Sequence, residues 1–223
     1  MKNCNFEHRI VFNCAIKLFS LCGAVLVIAL VLLFIFKKMF FLYAAIGCTL
    51  IFLLLLYFFR NPNRLAERND RYILCPADGT VVSIEQNVSD KETGNRVNKI
   101  AIFLSIFNVH INRIPVSGKV IKIKEDKGSF LPAFLANASK RNYSKTVVIN
   151  GKIRVSVKQI SGVIARKIIN DLYVDKTVVQ GDAYGMILMG SRVEVTFPEN
   201  VKILCKKGDI VKAGISKLGE IPA

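Results

Sequence analysis

Histidine is scarce in this chain of 223 residues: there are two, His8 and His110. Cysteine occurs six times, yet no Cys-x-x-Cys pair and no Cys/His spacing suited to zinc is present. Reduced thiols in a reducing compartment and no metal site are the plain reading. Acidic residues are outnumbered, 16 Asp and Glu against 32 Lys and Arg, which leaves a net charge of +16. Such a balance usually serves nucleic acid or an anionic membrane surface. The sequence has no helix-turn-helix cue, zinc-finger spacing or aromatic RNP pattern, so nucleic acid is disfavoured. It has no Gly-x-Ser-x-Gly, which disfavours the serine hydrolases built on a strand-to-helix elbow. Internal repeats and low-complexity tracts are missing too.

Apolar residues are abundant instead. They make up 52% of the chain, with a mean hydropathy of +0.39, and the excess is localised. Residues 18–36 carry no charge, Lys37 and Lys38 interrupt, and residues 39–59 are again uncharged. Each run is close to the ~20 residues that cross a hydrocarbon core as a helix. A cleaved signal peptide is disfavoured, because the first run is too long and no small-residue cleavage site follows it. The short lysine turn predicts an antiparallel transmembrane hairpin, with a shallow re-entrant hairpin as the alternative. Lys2, Arg9 and Lys17 precede the hairpin, and Arg60, Arg64, Arg68 and Arg71 follow it. The positive-inside bias then places both flanks in the cytoplasm, at the cell (inner) membrane. Basic residues near an anionic leaflet add about 1 kcal/mol each. The expected organisation is a cytoplasmic segment 1–17, the hairpin 18–59 and one basic domain over 60–223.

Beyond residue 60 the pattern changes to short β-branched runs separated by Gly, Asn, Asp and Pro. The runs are 79–84, 99–106, 119–123, 146–149, 153–159, 186–189, 192–197 and 202–204. Regular short strands with turn signals predict a mainly β (α+β) domain of sandwich or barrel-like form. Helices are expected at about 131–140 and 162–169. Some 160 residues suffice for one compact domain.

Few groups in this domain can carry chemistry. His110 is its only histidine and sits in Phe107-Asn108-Val109-His110-Ile111-Asn112-Arg113, at a strand end or loop. Asp78 lies in Pro76-Ala77-Asp78-Gly79, which taken alone is a turn aspartate. Gly190-Ser191 falls between two apolar β runs, which taken alone suggests a bulge. Together a Ser, a His and an Asp can supply nucleophile, base and orienter.

The ordered set Phe58-Phe59-Arg60-Asn61-Pro62, Pro76-Ala77-Asp78-Gly79, the His110 segment and Gly190-Ser191-Arg192-Val193 resembles the short-form phosphatidylserine decarboxylase proenzymes. The stretch Gln159-Ile160-Ser161-Gly162-Val163-Ile164-Ala165-Arg166 is similar to that family's segment before its processing site. The resemblance covers nearly everything from Phe58 to about Pro198. There are departures. Cys75 stands where many relatives have Ser, and residues 137–143 match only loosely; the longer relatives have Ser-Thr at the cleavage point, but the short form accepts Ser191-Arg192.

The resemblance implies that the Gly190–Ser191 bond breaks by itself. It gives a larger subunit 1–190 and a small subunit 191–223, which stay together as a heterodimer; a homo-oligomer is left open. Ser191 becomes a pyruvoyl cofactor that forms an imine with the substrate amine, and His110 and Asp78 assist. Chemically, His110 takes the proton of Ser191, Asp78 holds the imidazole, and Gly190, lacking Cβ, tolerates the attack geometry. The implied reaction converts phosphatidylserine to phosphatidylethanolamine and CO₂. A carbonyl is the electron sink that side chains lack, and His110 is the candidate for returning the proton. A diacyl substrate explains the anchor. Arg60, Arg64 and Arg113 are candidates for the lipid phosphate or simply juxtamembrane anchors. Two alternatives stand beside this reading: a membrane-tethered lipoyl-like β module such as a transporter adaptor, and a decarboxylase of archaetidylserine.

Overall fold

A computed structural model describes residues 4–89, 95–129, 141–162, 167–188 and 191–222, with side chains from residue 15 onward. The chain divides into two compact units, Met1–Asn61 and Pro62–Ala223.

The first unit holds two helices, α1 (Cys4–Phe36) and α2 (Met39–Phe58). α1 starts well before the apolar run, since residues 4–17 contain neither Gly nor Pro to stop it. Ala15–Phe36 and Met39–Phe58 are both long and apolar enough to cross a membrane. Leu21, Phe34, Phe40 and Leu50 are exposed, a surface suited to hydrocarbon rather than water. Between the helices Phe19 meets Phe52 edge-on at 5.6 Å. The small residues Ala29 and Ala45 are buried, which permits close backbone approach. Lys37 closes α1 at φ 48°, in the left-handed region, while its N–H still donates to Leu33 O at 2.8 Å.

The second unit is built on antiparallel strands. An eight-stranded sheet runs in the order β13 (Ile210–Val211), β2 (Gly79–Ser89), β3 (Arg96–Leu104), β11 (Ser191–Pro198), β7 (Arg154–Ile160), β6 (Ser144–Asn150), β5 (Gly118–Asp126), β9 (Thr177–Val178). Two three-stranded sheets accompany it: β1 (Tyr72–Leu74), β14 (Lys217–Glu220), β12 (Lys202–Ile203); and β4 (Ile111–Arg113), β10 (Ala183–Ile187), β8 (Ile168–Asn170). The mainly β sandwich or barrel-like class expected from the sequence is what the domain adopts.

Strand alternation sets the core. Ile100, Ile102 and Leu104 of β3, Val193, Val195 and Phe197 of β11, and Val155 and Val157 of β7 are buried in one apolar cluster. The opposite face carries charge pairs on Glu194, with Lys99 Nζ of the neighbouring β3 at 2.8 Å and Arg192 Nε of the same strand at 3.0 Å. A broad concave surface on that face is lined by Lys99, Lys122, Lys124 and Lys158.

Some expectations need correction. The run 99–106 stops being strand at Leu104, because Asn108 Oδ1 accepts from both the N–H and the hydroxyl of Ser105 at 2.8 Å and folds a turn there. The helix expected at 162–169 is overturned at its end: Ile168 and Ile169 are strand residues paired with Ile187 and Met186. β-branched residues with an open ladder beside them favour that outcome. The helix expected at 131–140 lies outside the described residues, as does Met189 of the run 186–189.

Candidate functional site

Antiparallel order brings three sequence-distant points to one end of three neighbouring interior strands. β2 begins at Gly79, β3 ends at Leu104 and β11 begins at Ser191. Thr80 pairs with Phe103, and Ser191 with Leu104. Asp78 therefore precedes the first strand, the His110 loop follows the second and Ser191 opens the third. A further link joins the loop to β10, whose Ile187 N–H donates to His110 O at 3.2 Å. A Cβ on Gly79 would run into the backbone of Phe103, so Gly is what lets the Asp78 turn lie against β3.

Ser191 is fully buried. In strand alternation it shares the core face with Val193 and Val195, away from the face that carries Arg192 and Glu194. Its Oγ makes no hydrogen bond among the described residues. Gly190 lies outside the described residues.

His110 is also fully buried, and its Nδ1 lies 2.9 Å from Asn108 O. A carbonyl can only accept, so Nδ1 carries the hydrogen and Nε2 is the basic nitrogen of the neutral ring. Asp78 is oriented otherwise. Its carboxylate accepts from Arg64 Nη1 (2.5 Å) and Nη2 (2.6 Å) and from the Ala213 N–H (2.8 Å). The contact at Nδ1 thus comes from the Asn108 carbonyl, and the Asp78 oxygens are spent on Arg64 and Ala213.

Sequence reasoning missed a buried amide chain beside these groups. Asn112 Nδ2 donates to Pro76 O at 3.4 Å, and Gln159 Nε2 donates to Asn112 Oδ1 at 2.7 Å. Asn170 Nδ2 donates to Gln159 Oε1 at 3.0 Å, and the Leu172 N–H to Asn170 Oδ1 at 2.8 Å. Asn112 and Gln159 are both fully buried. The signal was available: Gln159 occupies the inward position of a strand whose other inward residues are Val155 and Val157. Gly185 leaves room for the chain, since a Cβ there would sit 2.5 Å from Ile169 O and 3.2 Å from Gln159 Nε2.

The basic candidates for lipid phosphate are engaged within the protein. Arg64 is held by Asp78, Arg113 is buried with Nη1 on Gly181 O at 2.9 Å, and Arg60 stacks on Tyr57 at 3.7 Å. Cys75 is buried, its thiol donating to Ala77 O at 2.9 Å, and burial drives its pKa far upward.

Two membrane-length helices, and an antiparallel domain that buries Ser191, His110, Asn112 and Gln159, define a membrane-associated protein with a candidate reactive centre in its β domain. The profile of the family described as "Phosphatidylserine decarboxylase" matches residues 51–218. A phosphatidylserine decarboxylase proenzyme of Syntrophus aciditrophicus is 41% identical over 166 residues, covering 73% of this chain and 78% of the relative. A putative archaetidylserine decarboxylase proenzyme of Methanosarcina mazei is 44% identical over 172 residues, 77% and 76%. A phosphatidylserine decarboxylase proenzyme of Ehrlichia ruminantium (strain Welgevonden) is 40% identical over 179 residues, 76% and 79%. The chain belongs to the phosphatidylserine decarboxylase family and is an enzyme of that family, which sets aside the non-enzymatic β module.

Proposed function

We propose that this enzyme cleaves itself between Gly190 and Ser191 and then decarboxylates the serine headgroup of phosphatidylserine, giving phosphatidylethanolamine and CO₂. The observation that supports the reading is that Ser191, paired with Leu104 at the end of β3, and His110, six residues beyond that end, are both fully buried. Archaetidylserine is the second reading, favoured by the 44% identity to the Methanosarcina mazei relative. Both lipids present the same phosphoserine headgroup, and they differ in the tails.

Processing uses this chain's own groups. His110 Nε2 takes the proton of Ser191 Oγ as that oxygen attacks the Gly190 carbonyl, and returns it to the departing amide nitrogen. The peptide bond becomes an ester. Loss of the Ser191 α-proton breaks the Cβ–Oγ bond, freeing the Gly190 carboxylate and leaving dehydroalanine. One water then releases ammonia and leaves a pyruvoyl group at position 191. Asn108 O holds the base tautomer, while Asp78, paired with Arg64, acts through the Pro76–Gly79 turn rather than on the imidazole directly.

The site suits such a group: Ser191 Oγ leaves with the Gly190 carboxylate, Cβ becomes the methyl and Cα the carbonyl, and a buried hydroxyl with no partner among the described residues gives up no hydrogen bond there in that exchange. When present, a pyruvoyl carbonyl supplies the electron sink for loss of CO₂. His110 is the proton donor to the product carbon. Burial keeps water away from that proton.

The pieces 1–190 and 191–223 remain a heterodimer on this reading. β11 is an interior strand, in register with β3 over eight residue pairs and with β7 over five, and β14 is the middle strand of its sheet. The helices hold the domain at the cell (inner) membrane. The basic flanks put it on the cytoplasmic face, next to anionic lipid.

The test is Ser191→Ala. A methyl group can neither attack nor eliminate, so one uncut, inactive chain is expected. The wild type should yield a small chain that begins at position 191 and resists Edman sequencing. Hydroxylamine should block wild-type activity, and borohydride should trap lipid on the small chain. Decarboxylation of phosphatidylserine by uncut Ser191→Ala protein would sink the mechanism.

A further inference from the structure

Segment 60–71 follows α2 without regular secondary structure, yet part of it is firmly held within the β domain. The Asn69 N–H donates to Gln180 Oε1 at 2.8 Å, and Arg68 pairs with Asp182 at 3.0 Å. Arg64 goes deeper. Its side chain is 8% exposed and that of Asp78 11%. The two form a bidentate pair, the strongest geometry available to a guanidinium and a carboxylate. Ala213 closes the unit from the other side: Arg64 Nη1 donates to Ala213 O at 2.9 Å, and the Ala213 N–H donates to Asp78 Oδ1 at 2.8 Å.

Three parts of the chain meet at this clamp. Arg64 comes from the segment behind the helices. Asp78 sits in the Pro76–Gly79 turn, whose Pro76 O accepts from Arg113 N (2.9 Å) and Asn112 Nδ2 (3.4 Å), on the strand that directly follows His110. Ala213 belongs to the piece that cleavage at Ser191 would detach covalently. A neighbouring link, Gly214 N to Cys75 O at 2.8 Å, makes the same connection through the backbone.

Resting on the self-cleavage proposed above, we infer that Arg64 is a positioning residue of maturation: it fixes the Asp78 turn against the future small chain and, through Pro76, against the strand of His110. The guanidinium acts through Asp78 and touches no reacting atom. The clamp also removes Arg64 from the set of residues open to lipid phosphate.

The test follows cleavage of the full-length protein in membranes by gel time course. Arg64→Ala should slow maturation by about 10²-fold, the cost of a small misplacement in a catalytic assembly. Arg64→Lys keeps the charge but loses the fork, and should fall between Ala and wild type. The decisive measurement is the cycle with Asp78→Asn. If Arg64 acts through Asp78, the double variant Arg64→Ala/Asp78→Asn matures no more slowly than Asp78→Asn alone. Should Arg64→Ala fail to accumulate, Arg64→Lys completes the same cycle with the same expectation. Wild-type maturation in an Arg64 variant, or slowing that multiplies in the double variant, overturns the inference. A wild-type chain that never cleaves instead removes the reading beneath it, so the two failures are distinct.

Discussion

The interior of the β domain has an apolar middle and a polar end, and one strand runs through both. In β11, Val193, Val195 and Phe197 bury their side chains among Ile100, Ile102, Val155 and Val157, and Ser191 continues the same face one step beyond Val193, whose ladder partner Gln159 binds Asn112. The middle rests on nondirectional burial, so many side chains of similar volume would serve there. The polar end rests on directed bonds between groups that would be costly to bury unpaired. The middle should therefore govern how stable the domain is, and the end what it does.

Removing His110 should break the comparison hardest. As the only histidine of the domain it has no substitute. His110→Ala should slow maturation by ~10²–10⁴-fold per folded molecule, the usual worth of general-base assistance. Asp78→Asn should slow it less, because the Asn108 carbonyl still orients the ring. A gel time course reads both. Normal cleavage in His110→Ala would remove that residue from processing.

The next pair of substitutions sharpens the contrast. Ile100 is fully buried in the apolar middle, paired with Val195. Ile100→Ala should destabilise the domain by about 2–5 kcal/mol, while the folded fraction matures at the wild-type rate. Gln159→Leu keeps much of the volume but strands Asn112 Oδ1 and Asn170 Nδ2. It should cost about 1–3 kcal/mol and also slow maturation, because Asn112 stands two residues from His110. Thermal melts set beside cleavage rates decide. If Ile100→Ala slows cleavage per folded molecule as much as Gln159→Leu does, the division between middle and end is wrong.

The sequence was informative where a signal adds along the chain. Nineteen and twenty-one uncharged residues around Lys37-Lys38 declare two membrane-length helices by composition alone, and the valines and isoleucines of β3, β7 and β11 declare strands by alternation. Strands of two to four residues such as β4, β8 and β13 were not legible, since partners far away in the chain create them. Residues 168–170 show the same override, as β10 recruits them to a ladder. Asp78 was legible as a candidate, but not its partner: Arg64 stands 14 residues upstream in a segment with no period to read. Nor could spacing reveal that a backbone carbonyl, Asn108 O, would take Nδ1 of His110.

Cys75 lies at the border of the two regions and should show the smallest effect. Its thiol donates to Ala77 O inside the turn that carries Asp78, its N–H donates to Ser216 O at 2.7 Å, and its own carbonyl accepts from Gly214. Only the side-chain bond depends on residue identity. A serine hydroxyl can make that bond in the same volume, so Cys75→Ser should mature at the wild-type rate and melt within about 0.5 kcal/mol of it. Cys75→Ala leaves Ala77 O short of one donor and should cost about 1 kcal/mol. The same geometry predicts chemical silence. Burial raises the thiol pKa far above its ordinary value, so almost no thiolate exists at neutral pH. Cys205, half-buried and pushed up to about 11, is held back less. Maleimide treatment of the folded enzyme should therefore leave Cys75 unmodified, by peptide mass, until denaturant is added. Rapid labelling of Cys75 in the native protein would mean that the Asp78 turn opens to solvent, and the polar end would then be a mobile site rather than a fixed one.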